Sequence, residues 1–261
     1  MSWAWLGPVQ LPVMLRHRLL DLVPDALRGR AADWYWPRVE AEFDVLPRVL
    51  PAGGVAVDVG VWWGPWTSAM AKTARQVHSF EPQPRLAAAM RRRAPANVTV
   101  HEVALSDREG SAELWMPASR PGLDALASLR PDRSSIELER EGTIEVMTVQ
   151  TATLDSFGLV DLDFVKIDVE GHETEVLRGA EETLARSKPA LLIEVEQRHH
   201  QRPIAEVFDM LARQGYDGSF LRDGVWENLE TFDVERDQQI HNGEIHHRTY
   251  INNFLFTQGD A

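Results

Sequence analysis

Four groups suited to proton transfer or ion binding follow one another in the stretch Asp168, Glu170, His172 and Glu173, immediately after the apolar run Phe164, Val165 and Ile167. An apolar run of that kind reads as a buried strand. Val176, Leu177, Ala180 and Leu184 then recur at helical spacing, so the polar groups fall on a strand exit and the start of a helix. Acids at a helix start also favour its dipole, and simple capping is an equal reading of Glu170 and Glu173; it accounts poorly for Asp168. A second run, Leu191 to Val195, encloses Glu194 and is followed by Glu196 and the pair His199-His200. A buried carboxylate needs a partner or a cation, which makes Glu194 a site candidate. The two histidines read as exposed bystanders or as reserve bases, since imidazole titrates near neutral pH.

Such groups need a scaffold. The segment Val55 to Gly64, VAVDVGVWWG, reads as a buried parallel strand opening onto a glycine turn, with Pro65 at a favourable first helical position and Trp66, Ala69 and Met70 at helical spacing behind it. Glycine at Gly60 would keep the turn close to a ligand, and Gly64 would let the next helix pack against the strand. The spacing departs from the dinucleotide fingerprint: three residues, Val61, Trp62 and Trp63, separate the glycines and no third glycine follows, which weakens hydride transfer as a reading. Arg75 to Phe80 reads as the next strand. It ends at Glu81-Pro82, about 20 residues beyond Gly60, where a carboxylate can accept hydrogen bonds from both hydroxyls of a ribose. Val98 to Val103 gives a third strand, from which Ala104, Leu105, Ser106 and Asp107 leave the sheet.

VAVDVGVWWG, HSFEPQP, HEVALSD, TATLDSF at 151–157 and above all DFVKIDVEGHETEVLRGAEETL at 163–184 together resemble the FkbM-type S-adenosylmethionine-dependent methyltransferases. The resemblance runs from about Glu40 to the end and includes PALLIEVE at 189–196 and TYINNFLF at 249–256. It implies an α/β class I methyltransferase (Rossmann-like) fold: a seven-stranded sheet, mostly parallel, with one antiparallel strand. The implied cofactor is S-adenosylmethionine, with S-adenosylhomocysteine as product. The implied reaction is O-methylation of a hydroxyl on a sugar, glycolipid or natural product. Carried over residue by residue, Asp58, Gly60 and Gly64 would shape the methionine side, Glu81 the ribose, Ala104 and Asp107 the adenine surroundings, and Asp168 would border both cofactor and acceptor. The family commonly has a small or polar pair after its first glycine, whereas Trp62 and Trp63 stand here; they could narrow the pocket, stack on substrate or point into the core.

Methyl transfer to an alcohol requires alignment of oxygen, carbon and sulfur and removal of a proton, which a general base accelerates by roughly 100- to 10,000-fold. His172 is the first candidate base, with Glu170 or Glu173 orienting its ring; Glu194, His199 and His200 are reserves. In a competing route, Asp168 and Glu194 hold Mg²⁺, which lowers the pKa of a coordinated hydroxyl.

Composition bounds the partners. A chain of 261 residues with 44% apolar content can form one large core, and a formal net charge of −13 disfavours a nucleic-acid partner. The run Arg91-Arg92-Arg93 fits a helix C-terminus. With no cysteine there is no call for disulfides or thiolate metal sites. Neither a signal peptide nor an apolar run of about 18 residues is visible, so a cytoplasmic enzyme without a transmembrane segment is expected. Residues 1–40 form an expected helical, Trp-rich extension carrying Trp3, Trp5, Trp34 and Trp36 and the stripe Leu15, Leu19 and Leu22. It could pack against the sheet or a second copy in a homodimer, act as a lid, or touch a membrane surface. Residues 41–261 form the expected methyltransferase domain, with a strand-and-loop insertion near 111–150: SAELWM at 111–116, IEVMTVQ at 144–150, and a polar stretch between them that carries Leu123, Leu126 and Leu129. The expected substrate is a small-molecule or oligosaccharide hydroxyl. The rivals are a polyketide-type acceptor, a non-catalytic cofactor-binding scaffold and a nucleotide-dependent oxidoreductase.

Overall fold

The computed structural model describes residues 23–117, 127–129, 144–241, 244–245 and 250–259. Trp3, Trp5, the Leu15–Leu19–Leu22 stripe, Leu123 and Leu126 lie outside them. The strands are β1 (Val55–Val59), β2 (Gln76–Phe80), β3 (Val98–His101), β4 (Ala104–Leu105), β5 (Gly110–Pro117), β6 (Ile144–Ala152), β7 (Leu162–Ile167), β8 (Ala190–Glu194), β9 (Tyr216–Arg222), β10 (Val225–Asn228), β11 (Ile240–His241), β12 (Glu244–Ile245) and β13 (Asn253–Gln258). The helices are α1 (Asp25–Tyr35), α2 (Leu46–Val49), α3 (Pro65–Met70), α4 (Pro84–Arg93), α5 (Glu173–Arg178), α6 (Glu181–Ser187), α7 (Ala205–Arg213) and α8 (Val234–Asp237).

The main sheet runs in the order β10-β9-β13-β8-β7-β1-β2-β3. β1, β2, β3, β7 and β8 are mutually parallel, and β13 is antiparallel to both β8 and β9. This is the expected α/β class I methyltransferase sheet with one addition: β10 folds back antiparallel on β9 as an eighth, edge strand. The two-residue connection Asp223-Gly224, with φ of +48° and +80°, permits that return.

Side-chain alternation on the strands divides the core into two layers. Val57, Val165, Leu191 and Ile193 face a cluster that includes Val176, Leu177 and Leu184 of α5 and α6 and Leu211 of α7. Ala56, Phe164, Leu192 and Leu255 face the other way, against Trp66 and Met70 of α3, Leu86 of α4 and the N-terminal Ala32, Trp36 and Phe43. The described part of the N-terminal extension is therefore built into the second layer. The expected insertion is a hairpin: β5 and β6 pair antiparallel, β6 pairs in parallel with β4, and the three form a separate small sheet.

Strand order reverses between β1 and β7, and the main chain is pinned where the two diverge. Gly60 N–H donates to the Phe80 carbonyl at 3.1 Å and Asp168 N–H to the Val59 carbonyl at 2.9 Å. A crevice outside the carboxyl ends of the strands at such a switch point is where open α/β sheets bind ligands.

Candidate active site

A cavity of about 580 Å³ occupies that crevice; Gly60, Glu81 and Ala104 lie on its wall, as do Asp168, His172 and Glu194. The ends of β1, β2, β7 and β8 thus meet in one space, together with the start of the antiparallel β13, which contributes Asn253.

At the glycine turn, Gly60 has φ +81°, and a Cβ there would stand 1.7 Å from the Asp168 carbonyl oxygen. Glycine is required by the approach of another strand's backbone, and not only by a ligand. Trp62 adopts φ +50°, an uncommon conformation for a bulky residue, and its N–H donates to Glu81 Oε2 at 2.8 Å. The other Glu81 oxygen accepts from Gln83 N–H at 2.9 Å. The acid after β2 therefore ties the two turns together. Asp58 is buried, accepts from Thr67 Oγ1 at 2.5 Å and reaches the cavity wall. Burial raises its pKa to about 6, against the opposing Thr67 hydrogen bond and Lys166 charge.

The two tryptophans divide. Trp62 lines the cavity, edge-on to Trp36 at 5.9 Å, whereas Trp63 is buried with the Arg28 and Arg85 guanidinium groups over its ring at 5.8 and 5.4 Å. Two expected cofactor residues stay off the wall. Gly64 begins α3 with φ +75° and faces Met90 of α4, not the strand. Asp107 turns aside toward Ser106 Oγ, at 3.3 Å, and Arg108.

At the other end the polar row is set by alternation. Lys166 lies beside Asp58 in the β1–β7 register and beside Leu192 of β8, so Asp168 and Glu194, each two residues further on, share its face of the sheet. Lys166 is 1% exposed. Its Nζ donates to the Ile167 carbonyl at 3.2 Å and stands 3.8 Å from Asp168 Oδ2. Burial would lower its pKa, but Asp168, Glu194, Glu40 and Asp58 together hold it above the ordinary lysine value. Asp168, with 36% of its side chain exposed to the cavity, is raised to about 6 by desolvation, with Lys166 opposing and Glu170, Glu173 and Glu196 adding to the rise. Glu194 is raised well above its ordinary value by burial and by the Asp168 charge, and accepts from Asn252 Nδ2 at 2.6 Å. Glu196 goes the other way. Burial works to raise it, but Arg198 at 2.5 Å and Tyr250 O–H at 2.6 Å bring it to about 2. Neighbouring carboxylates with pKa values pushed apart suit acid and base roles.

The signature turn is wired differently from expectation. His172 is buried and lines the cavity, but its Nε2 is 3.0 Å from Ser106 Oγ and its Nδ1 is 3.6 Å from Glu175. Glu170 and Glu173 do not orient it. They pair instead with His199 Nδ1 and His200 Nε2, each at 2.8 Å. Both histidines are buried and away from the cavity wall, so they are neither exposed bystanders nor placed to reach a substrate; they clamp the turn to the exit of β8. Burial acts to raise the Glu173 pKa, but the His200 contact and the Gly171 amide bring it below its ordinary value.

Asp168 and Glu194 do come together, as the metal reading requires, but with Lys166 Nζ as the cation beside them. Among the described residues, no group of three or more histidine, cysteine, aspartate or glutamate side chains is arranged to hold a metal ion. The Lys166 ammonium, 3.8 Å from Asp168 Oδ2 and under the charge influence of Glu194, already supplies positive charge there, which disfavours Mg²⁺ at the pair.

Sequence reasoning missed Lys166, Asn252, Asn253, Tyr250 and Arg198 as wall residues, together with Glu40 and Glu42 from the N-terminal side. The signal for Lys166 was present: a lysine in a strand otherwise made of buried apolar residues. Glu40 stands near Lys166 and is raised to about 8 by burial and by Glu42. Leu114 of β5 and Leu129 reach the wall from the insertion.

Residues 54–217 match the family model of the methyltransferase FkbM domain. The 2-O-methyltransferase NoeI of Sinorhizobium fredii (strain NBRC 101917 / NGR234) is 30% identical over 152 residues, covering 52% of this chain; the match spans 61% of that relative's length. Among solved structures, methyltransferase FkbM from Methylobacillus flagellatus KT aligns with a TM-score of 0.49 at 13% identity, over 93% of this chain and 58% of that one. SMU.1697c from Streptococcus mutans, determined in complex with SAH, aligns with a TM-score of 0.43 at 12% identity, over 84% of this chain and 95% of that one. No helix among the described residues is long and apolar enough to cross a membrane.

Proposed function

This chain belongs to the FkbM methyltransferase family, and on that premise we propose that it is an S-adenosylmethionine-dependent O-methyltransferase acting on a hydroxyl of a sugar, oligosaccharide or glycosylated metabolite. The observation that carries the reading is the single cavity joining the Gly60–Glu81 turns to the Asp168–Glu194 pair.

S-adenosylmethionine supplies, when bound, a methyl group made electrophilic by its sulfonium charge, and S-adenosylhomocysteine is its product. Glu81, held by the Trp62 and Gln83 amides, accepts hydrogen bonds from the ribose hydroxyls. Asp58 and Gly60 shape the methionine end. Asp168 is the base: its carboxylate opens on the cavity, and a pKa of about 6 keeps it largely ionised at neutral pH yet basic enough to take the hydroxyl proton as the oxygen is methylated. His172, with its Nε2 committed to Ser106, is the runner-up. Glu194 and Asn253 offer hydrogen-bonding groups to neighbouring hydroxyls, and Trp62 and Trp36 offer apolar faces to a sugar ring. The similarity to a 2-O-methyltransferase supports transfer to oxygen.

Calorimetric titration with S-adenosylmethionine and S-adenosylhomocysteine, followed by a methyl-transfer screen of methyl glycosides against lipophilic polyketide alcohols, tests the proposal. Micromolar binding and turnover on a glycoside are the expected results. Absence of binding would remove the enzyme reading in favour of a scaffold, and turnover confined to polyketide alcohols would overturn the acceptor class.

A further inference from the structure

We propose that Lys166 is the resident cation of this site, its ammonium standing where a divalent metal ion would otherwise be needed to hold Asp168 and Glu194 together beside the acceptor. The inference rests on the methyl-transfer reading of the cavity and assigns Lys166 the part of a positioning residue. Phe164, Val165 and Ile167 of the same strand are each at most 1% exposed, and so is Lys166. An ammonium so placed is strongly disfavoured unless anions surround it. They do: Asp58 stands directly across the strand pair, Asp168 and Glu194 follow on the same face, and Glu40 comes in from the N-terminal side. Nζ is fixed by the Ile167 carbonyl at 3.2 Å and lies 3.8 Å from Asp168 and 6.0 Å from the Trp66 ring.

A divalent ion bound to these carboxylates would sit about 2.0–2.6 Å from their oxygens. It would then lie within a few ångströms of Nζ, two like charges held close together. The site can hold one of the two, and the covalently attached one cannot be chelated or diluted away. Removing the ammonium while keeping the acids should therefore create a divalent site where the native chain has none.

The test compares the wild-type chain with Lys166→Ala, using MgCl₂ and TbCl₃ as probes. Bound Tb³⁺ would be sensitised by nearby tryptophan, Trp66 included. In the wild type neither Tb³⁺ emission nor calorimetric titration with MgCl₂ should show a stoichiometric site, whereas Lys166→Ala should gain one Tb³⁺ site, with sensitised emission about tenfold or more above the wild type and reversed by millimolar Mg²⁺. A stoichiometric metal site in the wild type, or a folded Lys166→Ala that gains none, overturns the proposal. Lys166→Met, which keeps the apolar stem, serves if the alanine variant does not fold; if neither folds, the wild-type titrations decide alone. Failure of S-adenosylhomocysteine to bind at all would count against the methyl-transfer reading, while the Tb³⁺ comparison would still report on Lys166.

Discussion

Glu81 and Trp62 are joined on the crevice wall: the Trp62 N–H donates to Glu81 Oε2 at 2.8 Å, so the acid that follows β2 holds the turn that follows β1. The same bond restrains a tryptophan at φ +50°. Glu81→Ala should then act twice, by removing ribose hydrogen bonds and by releasing the turn. One or two hydrogen bonds to a charged group, at about 1.5–3 kcal/mol each, predict a loss of S-adenosylhomocysteine affinity of tenfold to several hundredfold or more. Calorimetry checks this against circular dichroism; a folded variant with unchanged affinity refutes the assignment.

The base assignment makes a prediction about pH. Because Asp168 must be ionised to accept a proton and its pKa is raised to about 6 by desolvation, kcat should climb as pH rises through that value and level off above it. Asp168→Asn should lower kcat by about 100- to 10,000-fold while moving S-adenosylhomocysteine affinity by less than about threefold. His172→Asn should retain most of the turnover. The reverse ranking of the two variants would transfer the role to His172.

Two glycines of the same turn should respond differently to alanine. At Gly60 a methyl group would meet a strand's backbone carbonyl at 1.7 Å, which cannot give way without opening the β1–β7 junction. Gly60→Ala should cost about 3 kcal/mol or more. At Gly64 the nearest atoms are the Met90 sulfur and methyl at 2.4 and 2.5 Å, the end of a flexible side chain, and the cost should be about 1–2 kcal/mol. Urea denaturation of both variants measures the difference; equal values would mean that the clash at Gly60 is relieved elsewhere.

What was readable along the chain depended on how local its cause was. Glu81, Asp168 and Glu194 could be found because each acid ends or interrupts an apolar strand, and the strands themselves follow from residue runs. Pairings were not readable: Glu170 and Glu173 are close in sequence to His172, but they form ion-pair contacts with His199 and His200, which β8 delivers from another part of the sheet. Lys166 carries the same lesson. Its role depends on Asp58, a neighbour through strand register rather than through sequence. Asn252 and Asn253 reach the site because the last strand runs antiparallel, and Glu40 because the N-terminal segment packs into the second core layer; neither follows from a motif.

Glu40 links that segment to stability. Its pKa is raised from 4.5 to about 8, first by burial and then by Glu42, so the folded state favours its protonated form. The sign follows: the contribution to stability is fully present below the unfolded pKa of 4.5 and is lost as pH rises through about 8. Glu40→Gln keeps the shape of the protonated side chain and does not titrate. Its Tm should match the wild type near pH 5 and exceed it progressively up to pH 8 and beyond, where the wild type carries a buried charge. A Tm difference that stays constant across this range would show that Glu40 is as well solvated in the folded chain as in the unfolded one, and that the N-terminal segment does not close over it.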